Sequence, residues 1–219
     1  MKLKYSYQLL VATSACFFCH VGAAAETPEK IFEMVSPSIV VVDIFNSRDE
    51  VIGQGSGVVT GVGQVITNCH VAKRGKTRKV RQSGKVFTAT MQYSDPSRDL
   101  CQLSVPDLQA PPVVLSTARG LRVGQRVYAV GAPEGFDLTL SEGLVSRLRA
   151  HESLGYIQTS AAISLGSSGG GLFDDKGQLI GITTFYHREG QSLNFSLPVD
   201  WISELSKRAQ STQFIDKIK

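Results

Sequence analysis

Gly166-Ser167-Ser168-Gly169-Gly170-Gly171-Leu172 is the stretch on which the reading of this chain turns. Its glycines reach backbone angles closed to other residues, so a serine among them can sit exposed on a tight turn. No strand-to-helix elbow surrounds Ser168. The neighbouring runs are short and β-rich: Tyr156–Thr159 before it, Leu179–Phe185 and Ser192–Leu197 after it. Upstream come Arg126–Val130 and Leu138–Ser146, and before those Ile39–Phe45, Gly57–Thr60, Gln64–Thr67, Val86–Met91, Leu100–Val105 and Val113–Leu115. Gly, Pro, Asn and Asp break these runs roughly every 8–12 residues, the spacing of sandwiches and barrels. The class is therefore all-β. Ser116–Gly124 has little β pattern and links two halves of six strands each. A short helix over Pro28–Val35 and a C-terminal helix at about 199–210 complete the pattern. The latter rests on the spacing of Trp201, Ile202 and Leu205, with Asp200 as its cap.

Two basic residues, Lys2 and Lys4, precede the apolar stretch Leu9–Phe18, which ends in Ala23-Ala24-Ala25. Charged, apolar, then small is the order of a secretory signal, with cleavage after Ala25. Residues 1–25 are thus an export signal and 26–219 the mature protein, periplasmic or secreted. The apolar stretch is too short to span a bilayer, so no membrane span is expected after cleavage. Of 23 Lys+Arg and 19 Asp+Glu in 219 residues, the signal removes two bases and no acid. The resulting net charge near +2 argues against nucleic acid as a partner. The signal also carries away Cys16 and Cys19. Only Cys69 and Cys101 remain, too few for a disulfide scaffold or a metal site.

The mature chain has three histidines, His70, His151 and His187. His70 ends an apolar strand in Val65-Ile66-Thr67-Asn68-Cys69-His70-Val71, and Asp99 opens another in Arg98-Asp99-Leu100-Cys101-Gln102-Leu103. A serine hydroxyl needs a neighbouring base to become a nucleophile, and imidazole titrates near working pH. A carboxylate then fixes the imidazole tautomer and stabilises the imidazolium. The order His, Asp, Ser differs from that of subtilisins and of α/β-hydrolases.

Together these segments resemble the trypsin-like serine proteases of the HtrA/Deg family. The resemblance rests on Gly55-Ser56-Gly57-Val58-Val59, Val65–Val71, Asp99–Leu103, Gln158-Thr159-Ser160-Ala161-Ala162-Ile163 and Gly166–Gly170. Gly177–Ile182 and Asn194–Asp200 extend it over about residues 30–205. It implies two six-stranded β-barrels of the chymotrypsin type, at about 36–115 and 125–198, with the site between them. It makes His70 the base, Asp99 its orienting partner and Ser168 the nucleophile. The backbone N–H groups of Gly166 and Ser168 would form the oxyanion hole. The function implied is serine endopeptidase, without a cofactor, acting on protein or peptide substrates, unfolded ones included. The alternative is a catalytically silent peptide-binding or chaperone-like protein that keeps the cleft.

Departures from the family pattern carry their own expectations. The chain ends soon after its C-terminal helix, so no PDZ domain is expected, and the oligomeric state stays open. Ser167 stands where digestive trypsins carry the Asp that pairs with a new N-terminus, so no cut-and-insert activation is expected. Ser160, Ser164 and Leu165 replace the usual Asp, Asn and Pro, which leaves open whether the resting oxyanion loop is formed. By the resemblance, Ala162, Ile163, Thr184, Phe185 and Phe195 line the primary specificity pocket. With no Asp at its base, cleavage after small or medium apolar residues is expected. Since His70 and Asp99 must meet, Cys69 and Cys101 are either a bridged pair or two small buried thiols. The seven basic residues between Lys73 and Lys85, with no acid among them, read as a solvated hairpin rim; a contact for acidic substrates is the sharper reading.

Overall fold

In the computed structural model, the described residues are 25–133, 137–149, 155–186 and 192–218, without the side chains of Tyr186 and of 212–218. The signal segment up to residue 24, His151 and His187 lie outside them. Two closed antiparallel barrels of six strands each make up the body. The first uses β1 (Ile39–Phe45), β2 (Val51–Gly61), β3 (Gln64–Asn68), β4 (Thr77–Gln82), β5 (Lys85–Asp95) and β6 (Leu100–Ser104). Its neighbours run β1-β2-β3-β6-β5-β4, with β4 closing back on β1. The second uses β7 (Arg126–Gly131), β8 (Thr139–Leu148), β9 (Ile157–Thr159), β10 (Gly171–Phe173), β11 (Leu179–Tyr186) and β12 (Asn194–Pro198). Its order is β10-β11-β12-β9-β8-β7, closed by β7 on β10.

Side chains alternate across each strand, and here both faces of several strands are apolar. Val40, Val42 and Ile44 of β1, Val59 of β2 and Val65 of β3 fill the first barrel. Val127 and Ala129 of β7 and Leu172 of β10 fill the second. The opposite faces, through Ile39, Val58, Ile66, Tyr128, Val130 and Phe173, form a third cluster between the barrels. Two helices, α1 (Pro28–Val35) and α3 (Trp201–Ile218), close that cluster with Ile31, Val35, Trp201 and Leu205. Thr27 caps α1 by accepting from the Lys30 N–H at 3.3 Å.

Several elements differ from the expectation drawn from the sequence. The basic stretch contains a full strand, β4, in which Val80 alone is both apolar and buried. Its cations are held locally. Arg81 bonds Asp43 at 2.6 Å, Lys79 pairs with Asp49 at 3.2 Å, and Arg78 donates to the Ala72 carbonyl. The three-residue β10 sits inside what reads as a glycine-rich loop. Val113–Leu115 is no strand: Leu115 makes a single bridge to Leu179. The Asp200 carboxylate, expected to cap α3, accepts from Thr117 Oγ1 and Ala118 N–H in the linker at 2.7 Å each. That carboxylate ties the inter-barrel linker to the start of α3.

Candidate active site

His70 lies on a single helical turn, α2 (Cys69–Ala72), directly after β3. Asp99 follows a 3-10 turn at Pro96–Arg98 and adopts left-handed angles, φ 54° and ψ 32°, which Asp tolerates better than most side chains. This backward turn lets one residue grip α2 from several sides. Its carbonyl accepts from the Cys69 N–H at 3.1 Å and Asn68 Nδ2 at 3.1 Å. Its Oδ1 accepts from the His70 N–H at 2.8 Å, and its Oδ2 lies 2.7 Å from His70 Nδ1. Thr184 Oγ1 donates to the same Oδ2 at 3.0 Å. A carboxylate so satisfied accepts the Nδ1 hydrogen and leaves Nε2 as the basic nitrogen.

Cys69 and Cys101 are bonded, with Cα atoms 5.0 Å apart. Of the two readings open in the sequence, the structure contains the bridge. It joins the residue before His70 to the second residue after Asp99, and so staples the two strand ends that carry the pair.

The Asp99 loop is braced from behind by α3. Arg208 bonds Asp95 at 2.5 Å, and Arg98 bonds Glu204 at 2.6 Å while its guanidinium lies 4.6 Å from the Trp201 ring centroid. Burial pushes the Asp95 carboxyl up, but the hydrogen bond and charge of Arg208, the Ser97 hydroxyl and the Arg98 N–H outweigh it. The carboxyl ends below its ordinary value.

Ser168 stands on the glycine turn between β9 and β10. Its hydroxyl donates to the Thr184 carbonyl at 2.8 Å, and no hydrogen bond to His70 is present among the described residues. The turn is closed by the Ser167 N–H on the Ser164 carbonyl at 3.1 Å, with Leu165 58% exposed at its tip. Ser160 pairs with Leu144 of β8, accepting from that residue's N–H at 2.9 Å. Gly166 and Gly169 both have φ of +89°. A Cβ at Gly169 would stand 2.1 Å from the Ser56 carbonyl oxygen, so only glycine fits. Neither the Gly166 nor the Ser168 N–H donates to an acceptor among the described residues.

The five residues expected to line one specificity pocket fall into three places. Ala162 and Ile163, with Ser164 and Ser167, line a cavity of about 270 Å³ that also touches Val130 and Gly131. Phe185 and Phe195 stack on each other, with centroids 4.7 Å apart, on the neighbouring strands β11 and β12. Tyr156 meets Phe185 edge-on at 5.6 Å; burial, and then the nearby Asp99 charge, push its hydroxyl up. Thr184 turns its hydroxyl to Asp99 instead. Sequence reasoning missed that contact, and it missed Ser56, because buried Ser and Thr within strands read as ordinary β residues.

Residues 55–182 match the family described as the trypsin-like peptidase domain. The chain is 33% identical over 195 residues to the anti-sigma-I factor RsgI9 of Acetivibrio thermocellus, covering 85% of this chain and 27% of that protein. It is 33% identical over 196 residues to the mitochondrial serine protease HTRA2 of Bos taurus, covering 82% and 42%. With the chloroplastic Protease Do-like 1 of Arabidopsis thaliana, identity is 34% over 220 residues, covering 88% and 50%. The chain thus spans a quarter to a half of the length of these relatives. Among solved structures, the serine endoprotease from Yersinia pestis superposes with TM-score 0.75 at 25% identity, covering 85% of this chain and 67% of that one. Two closed barrels, the residue order and these matches agree: the chain belongs to the trypsin-like peptidase family, and proteases of the HtrA and Do-like type are among its relatives.

Proposed function

We propose that the mature chain is an exported serine endopeptidase that hydrolyses peptide bonds through an acyl-enzyme on Ser168. The observation that carries this reading is the grip of Asp99 on His70, by both the ring Nδ1 and the backbone N–H. Ser168 Oγ leaves the Thr184 carbonyl and attacks the scissile carbonyl carbon while its proton passes to His70 Nε2. The carbonyl oxygen becomes an oxyanion, to which the Gly166 and Ser168 N–H groups donate. Collapse breaks the C–N bond, and His70 returns the proton to the departing amine. Water, deprotonated by His70, then attacks the ester carbonyl; the C–O bond to Ser168 breaks, the acid product leaves, and His70 returns the proton to Ser168 Oγ. No cofactor enters. None of the five specificity candidates carries a charge, which supports cleavage after small or medium apolar residues. Profiling with a peptide library would overturn that specificity if cleavage required Lys, Arg or Glu.

The deciding experiment is intact mass of residues 26–219 after a fluorophosphonate probe, with Ser168→Ala alongside. A single adduct on the unaltered chain, mapped to Ser168 and absent from the variant, is expected. The silent, peptide-binding reading is favoured by one observation, the Ser168 hydroxyl resting on Thr184 rather than on His70. Absence of an adduct, and of turnover with unfolded casein present, would establish that reading and overturn ours.

A further inference from the structure

The glycine turn is held by hydrogen bonds from outside it, and two of them come from one buried serine in the other barrel. Ser56 lies on β2 with no exposed surface. Its hydroxyl donates to the Gly166 carbonyl at 2.8 Å, 110 residues away in sequence. The Ala132 N–H donates to that same oxygen at 2.8 Å, which turns the hydroxyl hydrogen toward Gly166. Its backbone N–H donates to the Ser168 carbonyl at 2.8 Å. Its own carbonyl accepts from Thr67 Oγ1 at 2.7 Å, so Ser56 is itself held in place from β3. The carbonyl between these two, that of Ser167, accepts from Thr183 Oγ1 at 2.6 Å.

Three consecutive carbonyls of the turn are therefore anchored, the outer two by Ser56. A trans peptide points its N–H opposite its C=O. Holding the Ser167 carbonyl on Thr183 therefore aims the Ser168 N–H away from β11. Holding the Gly166 carbonyl on Ser56 fixes the Gly166–Ser167 peptide, which carries the Ser167 N–H and lies between the Gly166 and Ser168 N–H groups. Glycine at Gly166 has little intrinsic preference for one orientation. Without an outside anchor the Gly166–Ser167 peptide would rotate about the glycine, and the N–H groups of Gly166 and Ser168 on either side of it would lose their fixed relation.

We infer that Ser56 is a positioning residue: its hydroxyl, reaching across from the first barrel, holds the Gly166–Ser167 peptide, the link between the Gly166 and Ser168 N–H groups, in the orientation that makes those two groups a usable oxyanion site. This rests on the reading of Ser168 as nucleophile. It adds a requirement that the His–Asp–Ser set alone does not contain, and it makes contact between the two barrels a condition of turnover. Oxyanion donors act mainly on the transition state, so the loss should fall on kcat.

The test compares Ser56→Ala with Val80→Ala, which opens a hole in the first barrel remote from the turn and serves as the destabilised control. Peptide hydrolysis and native-state hydrogen exchange are measured on both, well below their thermal midpoints. For Ser56→Ala, kcat is expected to fall by about 10–100-fold, with KM within twofold and the acid limb of the pH profile unmoved, because His70 and Asp99 are untouched. Exchange at residues 166–170 should rise relative to the rest of the chain. Val80→Ala should lose stability with kcat unchanged and exchange raised in the first barrel instead. Unchanged kcat in Ser56→Ala, or loss that parallels Val80→Ala, would overturn the inference. If the unaltered chain showed no turnover, the endopeptidase reading would fall; the exchange comparison would still decide whether Ser56 holds the turn.

Discussion

Asp99 holds His70 twice, with Oδ1 on its backbone N–H at 2.8 Å and Oδ2 at 2.7 Å from its ring Nδ1. One carboxylate thus sets the position of the short helix α2 and the tautomer of the ring it carries. The left-handed backbone at Asp99 permits this, because it turns the side chain back over the strand end from which α2 starts.

Asp99→Asn tests the two roles separately. Asn also tolerates left-handed angles, and its amide can keep one of the two contacts, so the fold should survive. The ring tautomer is then wrong, and kcat should fall by about 10⁴-fold, as for a chymotrypsin-type triad. Steady-state kinetics and a thermal melt check this: a large kcat loss with a near-normal melt is expected.

Ser168→Ala should reduce kcat by about 10⁶-fold with little change in stability, if it behaves as the subtilisin nucleophile does. Its hydroxyl bonds one carbonyl and belongs to no core cluster. Binding of an uncleaved peptide, read by fluorescence anisotropy, should persist.

Removing the bridge, as Cys69→Ala with Cys101→Ala, frees a loop with a sequence separation of 32. Chain-entropy estimates put the cost at about 3–4 kcal/mol, to be read by urea unfolding of the double variant. The backbone contacts between Asp99 and α2 remain, so activity at low denaturant should change far less than stability. Alkylation of the unaltered chain should label neither thiol until reductant is added.

Arg208→Gln should make stability depend differently on pH. The folded-state pKa of Asp95 is lowered from its ordinary value of 3.8. A lowered carboxylate contributes stability above the unfolded-state value, and loses it as pH falls through the folded-state value. Without Arg208, burial acts on Asp95 with less to oppose it. The variant should therefore be less stable by about 1–3 kcal/mol at neutral pH, with the gap narrowing below about pH 4. Denaturant melts at pH 7 and at pH 3.5 give the comparison; an equal gap at both would contradict it.

Gly169→Ala should abolish the turn's function. Its φ of +89° strains any other residue, and the new Cβ would meet the Ser56 carbonyl at 2.1 Å and Thr67 Oγ1 at 2.3 Å. Loss of the fluorophosphonate adduct, with a lowered melting temperature, is expected.

Much of this was legible in the chain itself. The near-continuous apolar runs Ile39–Phe45 and Arg126–Val130, and the turn residues between runs, are local signals of strands buried on both faces. The His70, Asp99 and Ser168 motifs are local as well, since each needs particular residue types beside it. Strand β4 was hidden because Thr77–Gln82 has a single apolar residue, Val80, and so no alternation; the groups that hold its cations, Asp43, Asp49 and the Ala72 carbonyl, lie on other elements. The three-residue β10 was hidden because ladder pairing with β7 and β11, rather than its own composition, makes it a strand.

By itself, then, the sequence determined the all-β class, the two halves, and which His, Asp and Ser stand at strand ends, because those depend on short-range pattern and chemistry. Only the tertiary structure decided that Cys69 and Cys101 are joined, that Thr184 serves Asp99, and that the Ser168 hydroxyl rests on Thr184. It also decided that Ser56 reaches the Gly166 carbonyl across 110 residues. Those contacts arise where two closed barrels meet. A hydroxyl's partner is chosen there by the packing of distant strands, and nothing in its neighbours along the chain records it.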